Sequence, residues 1–519
     1  MAQSNSVPFA PAPLEGATLA LGTIALSLAT FMNVLDTSIA NVSLPAISGD
    51  LGVSPDQGTW VITSFGVANA ISLPLTGWLT QRYGQVRMFL ATTALFVAAS
   101  LLCGLAVSMP MLVAFRVVQG AVAGPMIPLS QTLLLSTYPR EKAGMALSAF
   151  SLTILVAPVV GPVLGGWITD NFSWPWIFFI NVPVGLISLA MTWTIYRDRE
   201  TERVKRPIDA AGLVLLVLWV GSLQLMLDKG KDLDWFASPE IVALAVTAAL
   251  AFCLFMAWEL TEEHPVVDLS LFRDRNFSTG TAAISLAYAA YFGSIVLLPL
   301  WLQQYLGYTA TDAGLVLAPV GFLAIILTPI VGRFGNRIDT RLLATTSLVI
   351  FALVAWMRSH FNAEVDLWTL VVPTILQGAA VSCFFIPLVT LALAGMRQDQ
   401  IAAASGLNNF LRITAGAFAT SIATTLWESR AALHHARIVE HLTPGDPATS
   451  GALQSLGALG VPPERQYALL NQLVNQQAFT LSALDLFYGS ALLLVALIPL
   501  LWIARPPRRG AGGAGAGAH

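Results

Sequence analysis

Apolar residues along this chain come in long uninterrupted runs, and polar residues collect in short breaks between them. A bilayer core takes about 20 apolar residues per helix. Fourteen runs reach that length, near 18–40, 57–80, 88–108, 110–134, 145–168, 176–196, 209–227, 240–259, 278–301, 311–332, 342–358, 367–394, 401–426 and 480–504. Runs this continuous predict helices, since strands of a membrane barrel alternate over segments of about ten residues. The first is expected as a permanent helix. MAQSNSVPFAPAPLEGA before it holds no Lys or Arg, so it lacks the charged start of a signal peptide.

Composition agrees. The chain has 519 residues, of which 56% are hydrophobic and 11% charged. Soluble domains carry about 25% charged residues, so the fold class is all-α integral membrane. The net charge of −3 argues neither for nor against nucleic acid, and no basic patch is large enough to propose it as a partner, so none is expected. Cys103, Cys253 and Cys383 lie singly in three separate runs and offer neither a disulfide framework nor a zinc site. All six histidines (264, 360, 434, 435, 441 and 519) fall in loops or the tail, with no metal-spaced pair in a helix. LDKGKDL lacks the spacing of a phosphate-binding loop. No metal or cofactor is expected, a membrane enzyme is the weaker reading, and an ion gradient is left as the energy source.

The loops set orientation. With the N-terminus inside, 18 basic residues fall in cytoplasmic segments, among them Arg82, Arg87, Arg140, Lys205, Arg206, Arg337, Arg508 and Arg509. The other side holds six: Lys229, Lys231 and Arg358 in short loops, and Arg430, Arg437 and Arg465 in one long loop. The positive-inside rule then puts both termini in the cytoplasm.

Two halves repeat. QGAVAGPMIPL (119–129) resembles QGAAVSCFFIPL (377–388), and GWLTQR (77–82) resembles GRFGNR (332–337). The expected organisation is an N-terminal segment 1–17, a six-helix half 18–208, two inserted helices in 209–260, a second half 261–504 and a disordered tail 505–519. Internal repeats of this kind characterise secondary transporters, whose sites lie between the halves. The inserted helices are expected beside the two halves, since the repeat does not require them.

Three charges within the runs stand out. Asp36 lies about 27 Å along the first helix, and Arg116 roughly 9 Å down the fourth from its outer end; both fall in the outer third of the membrane. Arg412 lies midway along the thirteenth. Ionisable residues in membrane helices face a bundle interior or cavity and are functional by default.

At this point the motifs resemble a known family. LDTSIANVSLP, GTWVITSFGVANAISLPLTGWLTQRYGQVRM, RVVQGAVAGP, GPVLGGWITDNFSWPWIFFINVP, RPIDAAG and LDKGKDLDW are similar to those of the inner-membrane subunits of tripartite drug efflux pumps. These are fourteen-helix drug:proton antiporters of the major facilitator superfamily. The resemblance implies proton-driven export of lipophilic drugs across a bacterial inner membrane, with a periplasmic membrane-fusion adaptor and an outer-membrane channel as partners. A carrier of one metabolite or siderophore-like compound on the same fold is the alternative.

The resemblance also implies that the first and fourth helices line the central cavity, which makes Asp36 and Arg116 the expected proton-coupling pair. Burial raises a carboxylate's proton affinity and a nearby guanidinium lowers it, so an Arg116 that approaches in one conformation alone would switch Asp36. A permanent salt bridge that fixes packing, or direct pairing of Asp36 with cationic drugs, stays open. One proton moving down 100 mV supplies about 2.3 kcal/mol, against about 2.7 kcal/mol for a hundredfold gradient of a neutral drug at about 1.36 kcal/mol per decade.

Gly77, Arg82, Gly84 and Arg87 match the superfamily's cytoplasmic loop, but Gln81 stands where that loop has an acid. A gate loop and a simple positive-inside anchor are both open. In APVVGPVLGG, Pro158 and Pro162 permit bending, and Gly161, Gly165 and Gly166 permit close helix approach; the resemblance favours a hinge there. Gly120 and Gly124 are expected to serve packing. A polyspecific cavity should be apolar with few polar groups, and its candidates are Phe65, Asn69, Gln119, Tyr288, Tyr291, Phe292, Gln377, Phe384, Asn408 and Arg412. Arg412 either attracts an anionic or polar substrate or bonds backbone carbonyls. The outward loop 427–479 is expected as a hairpin of two amphipathic helices that contacts the adaptor, or as a solvated cap over the exit.

Overall fold

A helix occupies each of the fourteen apolar runs, and no strand occurs among the described residues. The computed structural model describes residues 13–505 apart from 140–141, 202, 204–206, 208, 232, 264, 335–337, 398–399 and 444–445. Within helices, the side chains at 55, 56, 143, 155, 159, 162, 163, 310, 311, 334 and 448 are also outside that description. The expected tail beyond 505, Arg140, Lys205, Arg206, Arg337, His264 and the side chain of Pro162 therefore lie outside the described residues. Eleven helices are long and apolar enough to cross a membrane among those described, or twelve if one bent pair is a single span.

The N-terminal half consists of α1 (Gly16–Asp50), α2 (Pro55–Gly58), α3 (Trp60–Ser72), α4 (Thr76–Tyr83), α5 (Gln85–Gly104), α6 (Met109–Ala123), α7 (Met126–Thr137), α8 (Ala143–Asn171), α9 (Trp176–Phe179) and α10 (Asn181–Tyr196). The inserted pair is α11 (Ala210–Lys229) and α12 (Pro239–Thr261). The C-terminal half consists of α13 (Arg275–Tyr305), α14 (Ala310–Leu317), α15 (Val320–Phe334), α16 (Thr340–Arg358), α17 (Leu367–Ser382), α18 (Phe385–Leu393), α19 (Ile401–Glu440), α20 (Pro447–Ala458), α21 (Pro463–Ala496) and α22 (Ile498–Ile503).

Proline and glycine set breaks in the N-terminal half, and the C-terminal half repeats one of them without either residue. The bend of 61° between α3 and α4 falls at Pro74, whose ring removes a backbone donor. The α6–α7 break at Gly124–Pro125 recurs as the α17–α18 break at Cys383–Phe384. By contrast, α8 runs unbroken through Pro158 and Pro162. Small residues bring it onto α1: a Cβ on Gly161 would run into Ser38, and one on Gly165 would lie 3.2 Å from the Ile39 Cα. Gly166 faces open space. In α6, a Cβ on Gly120 would strike the Phe65 carbonyl, and one on Gly124 would lie 2.9 Å from that of Asn69, so both glycines serve packing against α3.

The segment 427–479 holds the two expected helical arms, but as continuations of longer helices: α19 runs unbroken to Glu440, α20 fills part of the turn-rich stretch between them, and α21 runs from Pro463 to Ala496. No Gly or Pro occurs from 417 to 442, so nothing stops α19. The two helices stay joined beyond the apolar region, with the Trp427 indole donating to the Phe479 carbonyl at 2.9 Å and Arg430 and His434 both on Asp485, at 3.0 and 2.9 Å.

The inserted pair lies beside the halves, along the edge of their seam and mostly exposed on its outer faces, where Trp219 and Phe255 pack in one cluster with Leu73 and with Leu407 and Phe410. The end of α11 and the turn after it reach both sides. Asp228 accepts from Thr63 of α3, Ser421 of α19 donates to the Leu227 carbonyl at 2.6 Å, and Lys231 pairs with Glu428 at 2.8 Å.

At the end of the bundle that carries Arg82 and Arg87, the halves touch backbone to backbone. A Cβ on Gly144 would meet the Gly332 carbonyl, and one on Gly77 would lie 2.5 Å from the Ala403 side chain. Gln131 of α7 receives hydrogen bonds there from Ser405 and from Asn409 (3.4 Å) of α19. Toward the opposite end Asn41 and Val42 of α1 and Pro158 of α8 are exposed.

Candidate functional site

Four helices of the N-terminal half converge on Asp36. Among Met32, Leu35 and Ile39, α1 presents this one acid to the interior. Three residues apart, Arg116 and Gln119 share a face of α6, as Ser100 and Cys103 do on α5. Asn181 opens α10. The Arg116 Nη1 donates to Asp36 Oδ2 at 2.5 Å, with both side chains fully buried. Asp36 Oδ1 accepts from Gln119 at 3.0 Å and Asn181 at 2.8 Å. Arg116 also donates to Gln119 Oε1 at 2.7 Å and to the Val61 carbonyl at 2.9 Å, while its Nη2 has no partner among the described residues. The Phe65 ring lies 4.2 Å from the guanidinium carbon and Phe178 5.6 Å. Ser100 accepts from Gln119 at 3.2 Å and Asn181 at 2.9 Å.

Taking such a pair out of water costs several kcal/mol per ion and is offset only where the remaining lone pairs are satisfied. Asp36 meets that condition with three donors. The chemical consequence is a poised site: a proton on Asp36 would leave Arg116 without its counter-charge in an apolar interior. The pair lies within the N-terminal half, not on the surface of a cavity between the halves. Ser100, Cys103 and Asn181 were missed by sequence reasoning. Their signal was there, as polar residues in the apolar stretches AASLLCG and FFINVP.

The C-terminal half holds a second buried arginine. Arg358 is no loop residue; it is 1% exposed in the last turn of α16. It donates to Gln377 at 2.6 Å and Thr374 at 3.3 Å, and its Nε has no partner among the described residues. A cation at a helix C-terminus is favoured by the helix dipole, which explains how it is tolerated without a carboxylate.

Between the halves, Arg412 and Asn408 of α19 line a small cavity with Gln131, Phe150, Ser151 and Phe385. Its space of about 10 Å³ is room for one water. Arg412 donates to Asn409 at 2.8 Å and lies over Tyr288 at 4.7 Å and Phe385 at 5.4 Å. Asn408 donates to Thr281 at 3.0 Å. Tyr288 stacks on Phe292, centroids 5.4 Å apart. The other cavity candidates are placed elsewhere: Phe65 and Gln119 in the Asp36 network, Gln377 on Arg358, and Tyr291 and Phe384 against Phe351. Asn69 is half-buried on α3, its carbonyl accepting from Ser72 at 3.0 Å.

The loop with Gln81 finds its acid elsewhere. Glu200, after α10, accepts from the backbone N–H groups of Val86 at 3.1 Å and Arg87 at 2.9 Å and so caps α5. Gly84 takes φ +92°, and a Cβ there would collide with that carboxylate. Arg82 lies over Trp78 at 5.4 Å.

Two repeated helical halves with a polar cleft at their seam and a buried ion pair in one of them define a membrane carrier. The chain belongs to the Major Facilitator Superfamily, a family of transporters and not of enzymes, whose model matches residues 26–420. It is 52% identical over 508 residues to the Multidrug export protein EmrB of Escherichia coli (strain K12), covering 98% of this chain and 99% of that protein. It is 49% identical over 501 residues to the Fatty acid resistance protein FarB of Neisseria gonorrhoeae, covering 96% and 99%. In fold it is similar to the crystal structure of the human organic anion transporter MFSD10 (TETRAN), with a TM-score of 0.59 at 12% identity, covering 94% of this chain and all of that one.

Proposed function

We propose that this transporter exports hydrophobic and amphipathic drugs out of the cytoplasm or inner leaflet of a bacterial inner membrane in exchange for protons. The observation that carries it is Asp36, a fully buried carboxylate held by Arg116, Gln119 and Asn181. Near-half identity to a multidrug export protein supports the substrate class. In this reading all fourteen helices cross the membrane, both termini are cytoplasmic, and the division into two halves and an inserted pair is functional.

The closed seam at Gly77, Gly144, Gly332 and Ala403 is then the cytoplasmic gate, and the structure is an outward-facing state. A proton entering from outside neutralises Asp36 and leaves Arg116 uncompensated. Breaking a buried pair costs about 3–5 kcal/mol, enough to favour a rearranged bundle that opens the cytoplasmic side, where drug enters and the proton leaves. Arg412, in the cleft with no carboxylate in the cavity lining, would meet the anionic group of an acidic drug. Similarity to subunits of tripartite pumps supports an adaptor and an outer-membrane channel as partners.

The test uses proteoliposomes containing a pH dye, an imposed proton gradient and an added lipophilic drug, with wild type and Asp36→Asn side by side. Drug-dependent proton movement is expected in wild type and not in the variant. Equal movement in both would reduce Asp36 to a packing or drug-recognition residue.

A further inference from the structure

A second buried carboxylate lies outside the Asp36 network, on the inserted pair. Glu259, near the end of α12, is 4% exposed. Its Oε2 accepts the Val267 N–H at 3.2 Å, and its Oε1 has no partner among the described residues. Among the described residues the charged groups facing it are acids, Asp209 at the start of α11 and Glu262 beyond α12. A Cβ on Gly212 would meet both Asp209 and Glu259 Oε1, the latter at 2.9 Å, so the two carboxylates share one pocket. Asp209 is already served by the Gly212 N–H at 2.9 Å and the Trp258 indole at 3.0 Å.

What Glu259 holds gives this acid its interest. Val266 and Val267 form one wall of a cavity of about 170 Å³, and the other walls are Gly77 and Trp78 of α4 and Ala403 and Leu407 of α19. That is the seam where the halves meet. The cavity is roomy enough for several waters, with Glu263 and Asp268 along its side. A buried carboxylate oxygen with no donor, beside another carboxylate, is unfavourable. The neutral acid keeps the Val267 bond without that penalty.

We propose that Glu259 is a proton-linked latch of this transporter, neutral while the seam between α4 and α19 is closed and ionised when the seam opens. The step is one proton passing from the Glu259 carboxyl to water admitted by the open seam, which leaves the negative charge on Glu259; closure takes a proton back from the same side, so the latch carries no net proton across the membrane. The proposal rests on the antiport reading and adds a site on helices that the repeat itself does not supply.

The experiment is a reversal-potential measurement of the proton-to-drug ratio in proteoliposomes, on wild type and Glu259→Gln, with a neutral drug. Glutamine keeps an oxygen for the Val267 N–H and cannot exchange a proton. A wild-type ratio is expected in Glu259→Gln, because the latch moves no net proton, together with loss of the rise in transport rate that wild type shows as pH is raised on the side where α4 meets α19. A wild-type pH profile in the variant would overturn the proposal alone and leave Glu259 as an anchor for Val267. Absence of drug-driven proton movement in wild type would remove the antiport reading and this proposal with it. If Glu259→Gln does not fold, infrared spectroscopy of Asp36→Asn decides: a protonated-carboxyl band at neutral pH is expected, and its absence overturns the proposal.

Discussion

Gln119 in the N-terminal half and Gln377 in the C-terminal half occupy matching places in the repeat, as the glutamine of each QGA motif, and each bonds a residue of the helix before it, Ser100 or Arg358. Around that shared glutamine the halves diverge. In the N-terminal half the arginine comes from α6 and faces Asp36 at 2.5 Å. In the C-terminal half it comes from the end of α16 and meets Gln377, Thr374 and a helix dipole. The same scaffold thus carries an ion pair on one side and a cation without a carboxylate on the other. In the proposed exchange a proton unbalances only the first, so that switch is asymmetric although the fold is nearly symmetric.

The strongest way to break this comparison is to remove the carboxylate. Asp36→Ala leaves Arg116 buried without its partner, and the expected loss of stability is about 3–5 kcal/mol, read by denaturant unfolding in detergent. Adding Arg116→Ala should recover part of that loss, because the uncompensated charge is then gone. Drug-driven proton movement should be absent from both variants. Retained proton movement in either would mean that coupling does not run through this pair.

Arg358→Ala tests the other side. It strips Gln377 of its donor and should cost about 1–3 kcal/mol. The proton-to-drug ratio of the protein that folds should equal that of wild type. A changed ratio would make the C-terminal arginine part of the switch and end the asymmetry.

The sequence carried the helices and the Asp36–Arg116 pair because each is a local signal: a run of apolar residues, or one charge within it. It placed Arg358 in a loop because an arginine at a run's end reads as a positive flank, and only packing shows that α16 turns it inward. Phe65 and Gln119 were assigned to a cavity because aromatic and amide side chains suit one. The structure uses them to surround an ion pair, a choice set by which face of α3 and α6 points inward. Gln81 suggested a missing acid, and its replacement, Glu200, is over a hundred residues away, beyond any local motif. The unbroken course of α19 was legible in the absence of Gly and Pro, but the polar sequence after Glu428 hid it.

Arg412 sharpens the comparison within the C-terminal half, because it faces the cleft where Arg358 does not. Arg412→Gln should weaken transport of drugs bearing a carboxylate about tenfold in Kd, or about 1.4 kcal/mol, and leave neutral drugs unaffected. Competition transport assays with a matched acid and its methyl ester would show it. Equal loss for both would assign Arg412 to packing on Tyr288.

The smallest effect is expected where the inserted pair ties to the C-terminal half. Lys231 and Glu428 are 2.8 Å apart, but their side chains are 44% and 49% exposed, and such pairs are worth up to about 1 kcal/mol. Just beyond, Asp234 and Trp235 adopt left-handed backbone at φ 54° and 51°, each at a cost of about 1–2 kcal/mol. The Trp235 N–H bonded to Gly230 at 2.7 Å and its indole bonded to Thr425 at 3.0 Å hold that strain. A seam that opens and closes needs ties weak enough to break in each cycle, and an exposed ion pair beside a strained turn suits that need. Lys231→Ala should therefore change stability by less than about 1 kcal/mol and leave the transport rate within twofold. A several-fold faster rate would show that this tie limits the cycle and that the inserted pair acts as a brake.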